Sequence, residues 1–293
     1  MTNEPFDRVL IRNRRSRHAP RIDAHDFLLA RVAADFAERL AIIQRTFAVG
    51  VSIGAAHGLL SRSLRELPNI GLLIDAEAAL ELLARCEHPR VQADEEWLPF
   101  ADEALDLVVS GLSLHLVNDL PGTLVQIRRA LKPDGLVLAA MIGGASLAAL
   151  RQAWLVAEDD ITGGASPRVA PFVDVRDLGT LAQRAGLALP VVDRDVVEVT
   201  YASPLSLMAE LQAMAGANPL SGRRRVPVTR RLLLRAAEVY AELCGGPDGR
   251  VTATFEILTL TAWAPAASQP QPLKPGSAEV RLADALGVRE RKL

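Results

Sequence analysis

The stretch from Phe47 to Asp75, FAVGVSIGAAHGLLSRSLRELPNIGLLID, holds the residue types best suited to grip a ligand. Gly54, Ala55, Ala56, His57 and Gly58 follow a short apolar run rich in Val and Ile. Small residues at such a place let the backbone approach a bound group, and the free N–H groups of a following helix face the same point. Asp75 closes a second apolar run, where a carboxylate can accept hydrogen bonds from both hydroxyls of a ribose. The spacing therefore predicts a site for a nucleoside-containing ligand; the plain alternative is an ordinary βαβ turn. His115, after another apolar run, is the best-placed titratable side chain for a general base, with a structural role as its alternative.

Two ligand classes can be compared against this turn. A dinucleotide fingerprint starting at Gly54 needs glycines where Ala56 and Leu59 stand, which disfavours a nicotinamide-dependent reductase. The S-adenosylmethionine pattern, hydrophobic-Asp-hydrophobic-Gly-x-Gly-x-Gly, fits better. It meets Gly54 and Gly58, with Ala56 in place of the middle glycine and Ser52 in place of the acid.

The elements that must position these residues can be read from periodicity. Apolar positions Phe27, Leu28, Val32, Phe36 and Leu40 make one face of a helix within 23–40. Phe47–Ile53, Ile70–Ile74, Val91–Ala93, Leu105–Ser110 and Leu136–Ile142 read as buried strands, separated by helical stretches at 59–67, 76–85 and 119–131. Strands alternating with helices imply right-handed crossovers and a parallel sheet. Lys132-Pro133-Asp134-Gly135 reads as a turn, with Gly135 supplying the unusual backbone angle. Farther on, helices are predicted at 147–158, 175–185, 204–215 and 228–243, and strands at 191–201 and 252–263. The organisation expected is a basic arm and helix over 1–40, and an α/β domain over 41–264 with a helical insertion at about 202–245. A mobile Pro-rich tail is expected over 265–293.

The totals narrow the function classes. At 293 residues and 49% hydrophobic, the chain can build one large α/β domain. A net charge of −2 and only 4% aromatic residues argue against nucleic acid as a partner. Cys86 and Cys244 show no metal-ligand spacing, so no metal site is expected, and a reducing cytoplasm fits. No apolar run approaches the roughly 18 residues of a membrane span. Arg8, Arg12, Arg14, Arg15, Arg17 and Arg21 form a basic arm, read either as a solvated segment or as a lid or docking element for an acidic partner. Arg223, Arg224, Arg225, Arg230 and Arg231 admit the same two readings. Trp97 and Phe100 are read as core residues that could also pack near an adenine.

The segment Asp94–Pro121, DEEWLPFADEALDLVVSGLSLHLVNDLP, together with LKPDG at 131–135, resembles the class I methyltransferases. More closely it is similar to the methyltransferase-like assembly factor family of respiratory complex I. GGASLAALRQAW at 143–154, SPRVAPFVDVRDLGTLAQRAG at 166–186, ATFEI at 253–257 and PGSAEV at 275–280 carry that resemblance through nearly the whole chain. The resemblance implies a Rossmann-like seven-stranded sheet, mostly parallel, with the last strand antiparallel. It also implies S-adenosylmethionine as cofactor, held by Ser52, Gly54, Ala56, Gly58, Asp75, Ala76, Asp94, Glu95, Ser110 and Leu112. Asp94 would face the adenine amino group, and Ser110 to Leu112 would flank the methionine part. The implied partner is a complex I subunit or assembly intermediate, with hydroxylation of a subunit arginine the modification associated with the family. A small-molecule O-methyltransferase, and a methyltransferase-fold binding protein without catalysis, are the alternatives. The expected compartment is the cytoplasm, with the inner membrane reached through a partner.

Overall fold

The computed structural model describes residues 4–270, together with 280, 285 and 287. The expected tail over 265–293 thus lies largely outside the described residues. Seven strands form one sheet: β1 (Phe47–Ile53), β2 (Ile70–Glu77), β3 (Arg90–Gln92), β4 (Leu105–Gly111), β5 (Leu131–Ile142), β6 (Ala188–Tyr201) and β7 (Val251–Trp263). Their order across the sheet is β3-β2-β1-β4-β5-β7-β6. The first five pair in parallel, and β7 enters antiparallel between β5 and β6.

Side chains alternate between the two faces along each strand, and both faces are apolar, as a sheet covered by helices on both sides requires. Leu136, Leu138 and Ala140 of β5 face one core, and Val137, Ala139 and Met141 face the other. The first core is closed by α2 (Phe27–Ile42), α3 (Leu59–Arg65), α6 (Ala148–Thr162) and α9 (Arg230–Cys244). The second is closed by α5 (Leu120–Ala130) and α7 (Val175–Arg184). In α2 the expected apolar stripe holds for Leu28, Val32, Phe36 and Leu40, which are buried, while Phe27 is exposed. A helix α8 (Pro204–Ala213) precedes α9, and both lie between β6 and β7.

Three local departures from the sequence reading have physical causes. Strand β2 runs to Glu77, three residues beyond the expected end, because Asp75, Ala76 and Glu77 pair with Arg90, Val91 and Gln92 of β3. The LKPDG segment is a bulge within β5: Leu105 pairs with Leu131 and Leu107 with Leu136, and Asp134, not Gly135, takes the left-handed angle (φ 65°). Finally, the arginine-rich arm is ordered. It forms α1 (Arg8–His18), whose first turn is capped by Asp7 accepting from the Leu10 N–H at 2.9 Å. A 3₁₀ segment, Ala19–His25, leads from α1 to α2. Among the described residues no helix is long and apolar enough to cross a membrane.

Candidate functional site

The turn after β1 alternates between ordinary and left-handed backbone: Gly54 has φ 62°, Ala56 φ 52° and Gly58 φ 79°. Only glycine fits at 54, because a Cβ there would lie 2.2 Å from Ser113 Oγ. Ser113 is held by its neighbour Ser110, whose hydroxyl donates to the Ile53 carbonyl at 3.0 Å. The turn is tied to β2 at two points: the Ala55 N–H donates to the Ala76 carbonyl at 3.0 Å, and the Ala56 N–H to Glu77 Oε2 at 2.9 Å.

Glu77 is the acid at the tip of β2. Its other oxygen accepts from the Ala79 N–H at 2.9 Å, and its side chain is fully buried. Across from it lie Asp94 and Glu95, just beyond β3. Helix α1 lays two arginines over these three carboxylates. Arg15 reaches Glu77 at 2.6 Å and Glu95 at 3.1 Å; Arg8 reaches Asp94 at 2.6 Å and also bonds Glu95. Burial pushes the Glu77 carboxyl above its usual range, with Arg15 pulling the other way. Burial likewise works against the charge on Arg15, but Glu77 and Glu95 outweigh it and hold the guanidinium protonated. The arm is therefore a cover over an acidic site within its own chain, and Arg14 is spent inwardly too, on the carbonyls of Ala217 and Asn218 at 2.6 and 2.7 Å.

Gly54, Ala56, Asp94 and Glu95 lie around one point, and the Ala76 carbonyl accepts from the turn at Ala55. Asp75 is turned away. Its carboxylate is fully buried against α3, accepting from the Ser61 hydroxyl and from Arg65 at 2.9 Å. The expectation that Asp75 lines a cleft with Gly54 and Gly58 is corrected: that place belongs to Glu77. Burial raises the Asp75 carboxyl, opposed by Ser61 and Arg65. Gly58 caps α3 from the left-handed region. Ser52 is buried in β1, its hydroxyl without a partner among the described residues. Trp97 is neither core nor lining, being 78% exposed, while Phe100 packs on the second core. The missed residue is Glu77; Arg8 and Arg15 belong to the arm that the sequence offers as a lid, but their acidic partners Glu77, Asp94 and Glu95 lie in the same chain.

Beside the acids opens a cavity of about 960 Å³, lined among others by Arg15, Ala56, His57, Leu112, His115 and Phe172. The His115 ring stacks edge-on against Phe172 with centroids 5.5 Å apart, and its buried Nδ1 has no partner among the described residues. Burial, aided by Arg15, depresses its pKa to about 3, so the imidazole stays neutral at physiological pH. A base that weak orients a hydrogen-bond donor better than it removes a proton. His57 Nε2 lies 3.0 Å from Asp26 and 3.5 Å from Asp23. Those three side chains could in geometry hold a metal ion, but the Arg85 guanidinium already neutralises Asp23.

The residues present fit a nucleoside–sulfonium ligand in kind. Three carboxylates face two guanidinium groups, which leaves the site net negative when all are ionised. The left-handed turn offers close backbone approach, and carboxylates at the ends of β2 and β3 can accept from hydroxyl and amino groups. Reaching those carboxylates requires Arg8 and Arg15 to yield.

Comparison with known proteins is consistent with this geometry. Residues 51–139 match the family model described as a methyltransferase domain. The arginine-hydroxylase NDUFAF5, mitochondrial, of Danio rerio is 37% identical over 95% of this chain and 88% of its own. The malonyl-[acyl-carrier protein] O-methyltransferase of Halorhodospira halophila is 33% identical over 99% of this chain and 98% of its own. Among solved structures, the YcgJ protein of Bacillus subtilis superposes with a TM-score of 0.56 at 13% identity, covering 80% of this chain and 99% of that one.

Proposed function

Because this chain belongs to the methyltransferase-domain family that includes the arginine-hydroxylase NDUFAF5 proteins, we propose that it binds S-adenosylmethionine and acts on a protein partner during assembly of respiratory complex I. The observation that carries this reading is the convergence of Glu77, Asp94 and Glu95 on the left-handed turn at Gly54. Glu77 would accept from ribose hydroxyls, Asp94 from the adenine amino group, and the Gly54 turn would let the backbone approach. S-adenosylmethionine, when bound, supplies a methyl group already activated by its sulfonium. What remains for the protein is alignment, which can contribute roughly 7–11 kcal/mol. His115, neutral and with a free Nδ1, would orient an acceptor N–H or O–H at the cavity wall. The reading sets the chain in the cytoplasm, meeting the inner membrane through its partner.

Calorimetric titration with S-adenosylmethionine and its demethylated product tests the reading on the intact chain and on Arg15→Met. Binding is expected in both, and tighter in the variant, whose acids are no longer held by a competing guanidinium. Absence of heat in both proteins would refute the cofactor assignment. Pull-down from membranes of cells expressing the intact chain should recover complex I assembly intermediates. A second reading, a small-molecule O-methyltransferase acting on a carboxylic acid, is favoured by the relative in Halorhodospira halophila. Methyl transfer to a malonyl thioester with no assembly intermediate recovered would install that reading in place of the first.

A further inference from the structure

The cavity beside the acids extends far beyond what a methyl acceptor needs. At about 960 Å³ it sits at the upper end of small-ligand sites, roughly 300–1,000 Å³. Its wall is apolar, with Leu29, Leu112, Leu150, Trp154, Phe172 and Met208 among the residues that face it. Its charged lining is one-sided. Arg14, Arg15, Arg168, Arg223, Arg224 and Arg225 contribute to it, against one carboxylate among the described residues, that of Asp26, which is taken up by His57.

Several of these cations are already matched. Arg15 is held by Glu77 and Glu95, Arg168 pairs with Glu158 at 2.5 Å, and Arg223 with Asp7 at 3.0 Å. Arg14 meets only carbonyls, and Arg224 and Arg225 are exposed with no ion pair among the described residues. Around Arg14, burial is the main force against the charged form; Arg223 and Arg17 add to it and Asp7 opposes it. An apolar chamber with surplus guanidinium groups rejects cations. It gives a neutral amphiphile only half of what it offers, whereas a carboxylate meets the bidentate donors that suit it.

We propose that this chamber binds an amphiphilic anion, an apolar chain ending in a carboxylate, with the chain against Leu150, Trp154 and Met208 and the head at Arg14, Arg224 and Arg225. The inference goes beyond methyl transfer and does not rest on cofactor binding. A malonyl group has no such chain, so the proposed ligand also differs from that of the relative's name.

Calorimetry on the full chain without cofactor tests it, with decanoate below its micelle concentration, decanol, decyltrimethylammonium and acetate as probes. Decanoate should bind at least ten-fold more tightly than decanol, while the cation and acetate should give no measurable heat. Arg224→Ala with Arg225→Ala, at exposed positions, should leave the melting transition in place and weaken decanoate ten-fold or more without changing decanol. Met208→Trp, which narrows the chamber, should weaken both. Equal affinity for decanoate and decanol, or decanoate binding indifferent to both variants, would overturn the proposal.

Discussion

Replacing Arg15 by methionine removes a guanidinium from between Glu77 and Glu95 while keeping most of an apolar stem. Glu77 is fully buried, so its remaining partners would be the backbone N–H groups of Ala56 and Ala79. Removing one member of a buried ion pair costs about 3–5 kcal/mol. Two retained backbone hydrogen bonds, and Arg8 still on Glu95, set the expected loss near the lower end, about 3 kcal/mol at pH 7.5. The pH dependence has a definite sign. Burial raises the Glu77 carboxyl on folding, and a group so raised contributes stability below its unfolded value and loses it as pH climbs through its folded value. Without Arg15 the folded value rises farther, so the deficit of the variant should widen between pH 5 and pH 7.5. Urea unfolding of both proteins at the two pH values measures it. A variant within about 1 kcal/mol of the parent at pH 7.5, or a deficit as large at pH 5, would show that Arg15 is not what offsets the burial of Glu77.

Other expectations follow from single residues. Ala56 occupies the left-handed region at a cost of about 1–2 kcal/mol, so Ala56→Gly should stabilise the fold by about 0.5–1 kcal/mol, read from the denaturation midpoint; destabilisation would mean the methyl is packed usefully. His115, depressed from 6.5 to about 3, contributes stability above pH 6.5 that is lost as pH falls towards 3. Between pH 6.5 and 5 the loss should be about 2 kcal/mol, and His115→Gln should flatten that part of the curve. Cys86 is buried and its thiol is pushed up to about 12, whereas Cys244 is partly exposed. Iodoacetamide at pH 8 should label Cys244 at least ten-fold faster, and mass spectrometry of the peptides reads the ratio.

Much of the sheet was legible because both of its faces are buried, so β1, β2, β4 and β5 stand out as unbroken apolar runs bounded by turns. The acid at the tip of β2 was not. Asp75 and Glu77 are two residues apart and share a face by strand periodicity, so the choice between them depends on where pairing with β3 stops. Pairing is a tertiary fact, and Ala76 and Ala78 give no local sign of it. Arg8 and Arg15 are seven apart, two helical turns, which places them together on one side of α1. That they face inward depends on Glu77 and Glu95, from distant parts of the chain, so local composition leaves a solvated segment and a lid or docking element equally open. For the same reason, deleting residues 1–21 would strip the cover from three carboxylates as well as remove an arm.

The place of β7 has a consequence for how the chain is made. Strand β6 is complete at Tyr201, but its neighbour β7 begins only at Val251 and then fills the gap between β6 and β5. While the ribosome adds the intervening fifty or so residues, the outer edge of β5 and both edges of the long β6 are unpaired. Unpaired edges of this kind recruit other strands. Synthesis of this protein therefore passes through a sticky interval that closes when β7 emerges and leaves, of these three edges, only the outer edge of β6 bare, and a chaperone has most to do during that wait.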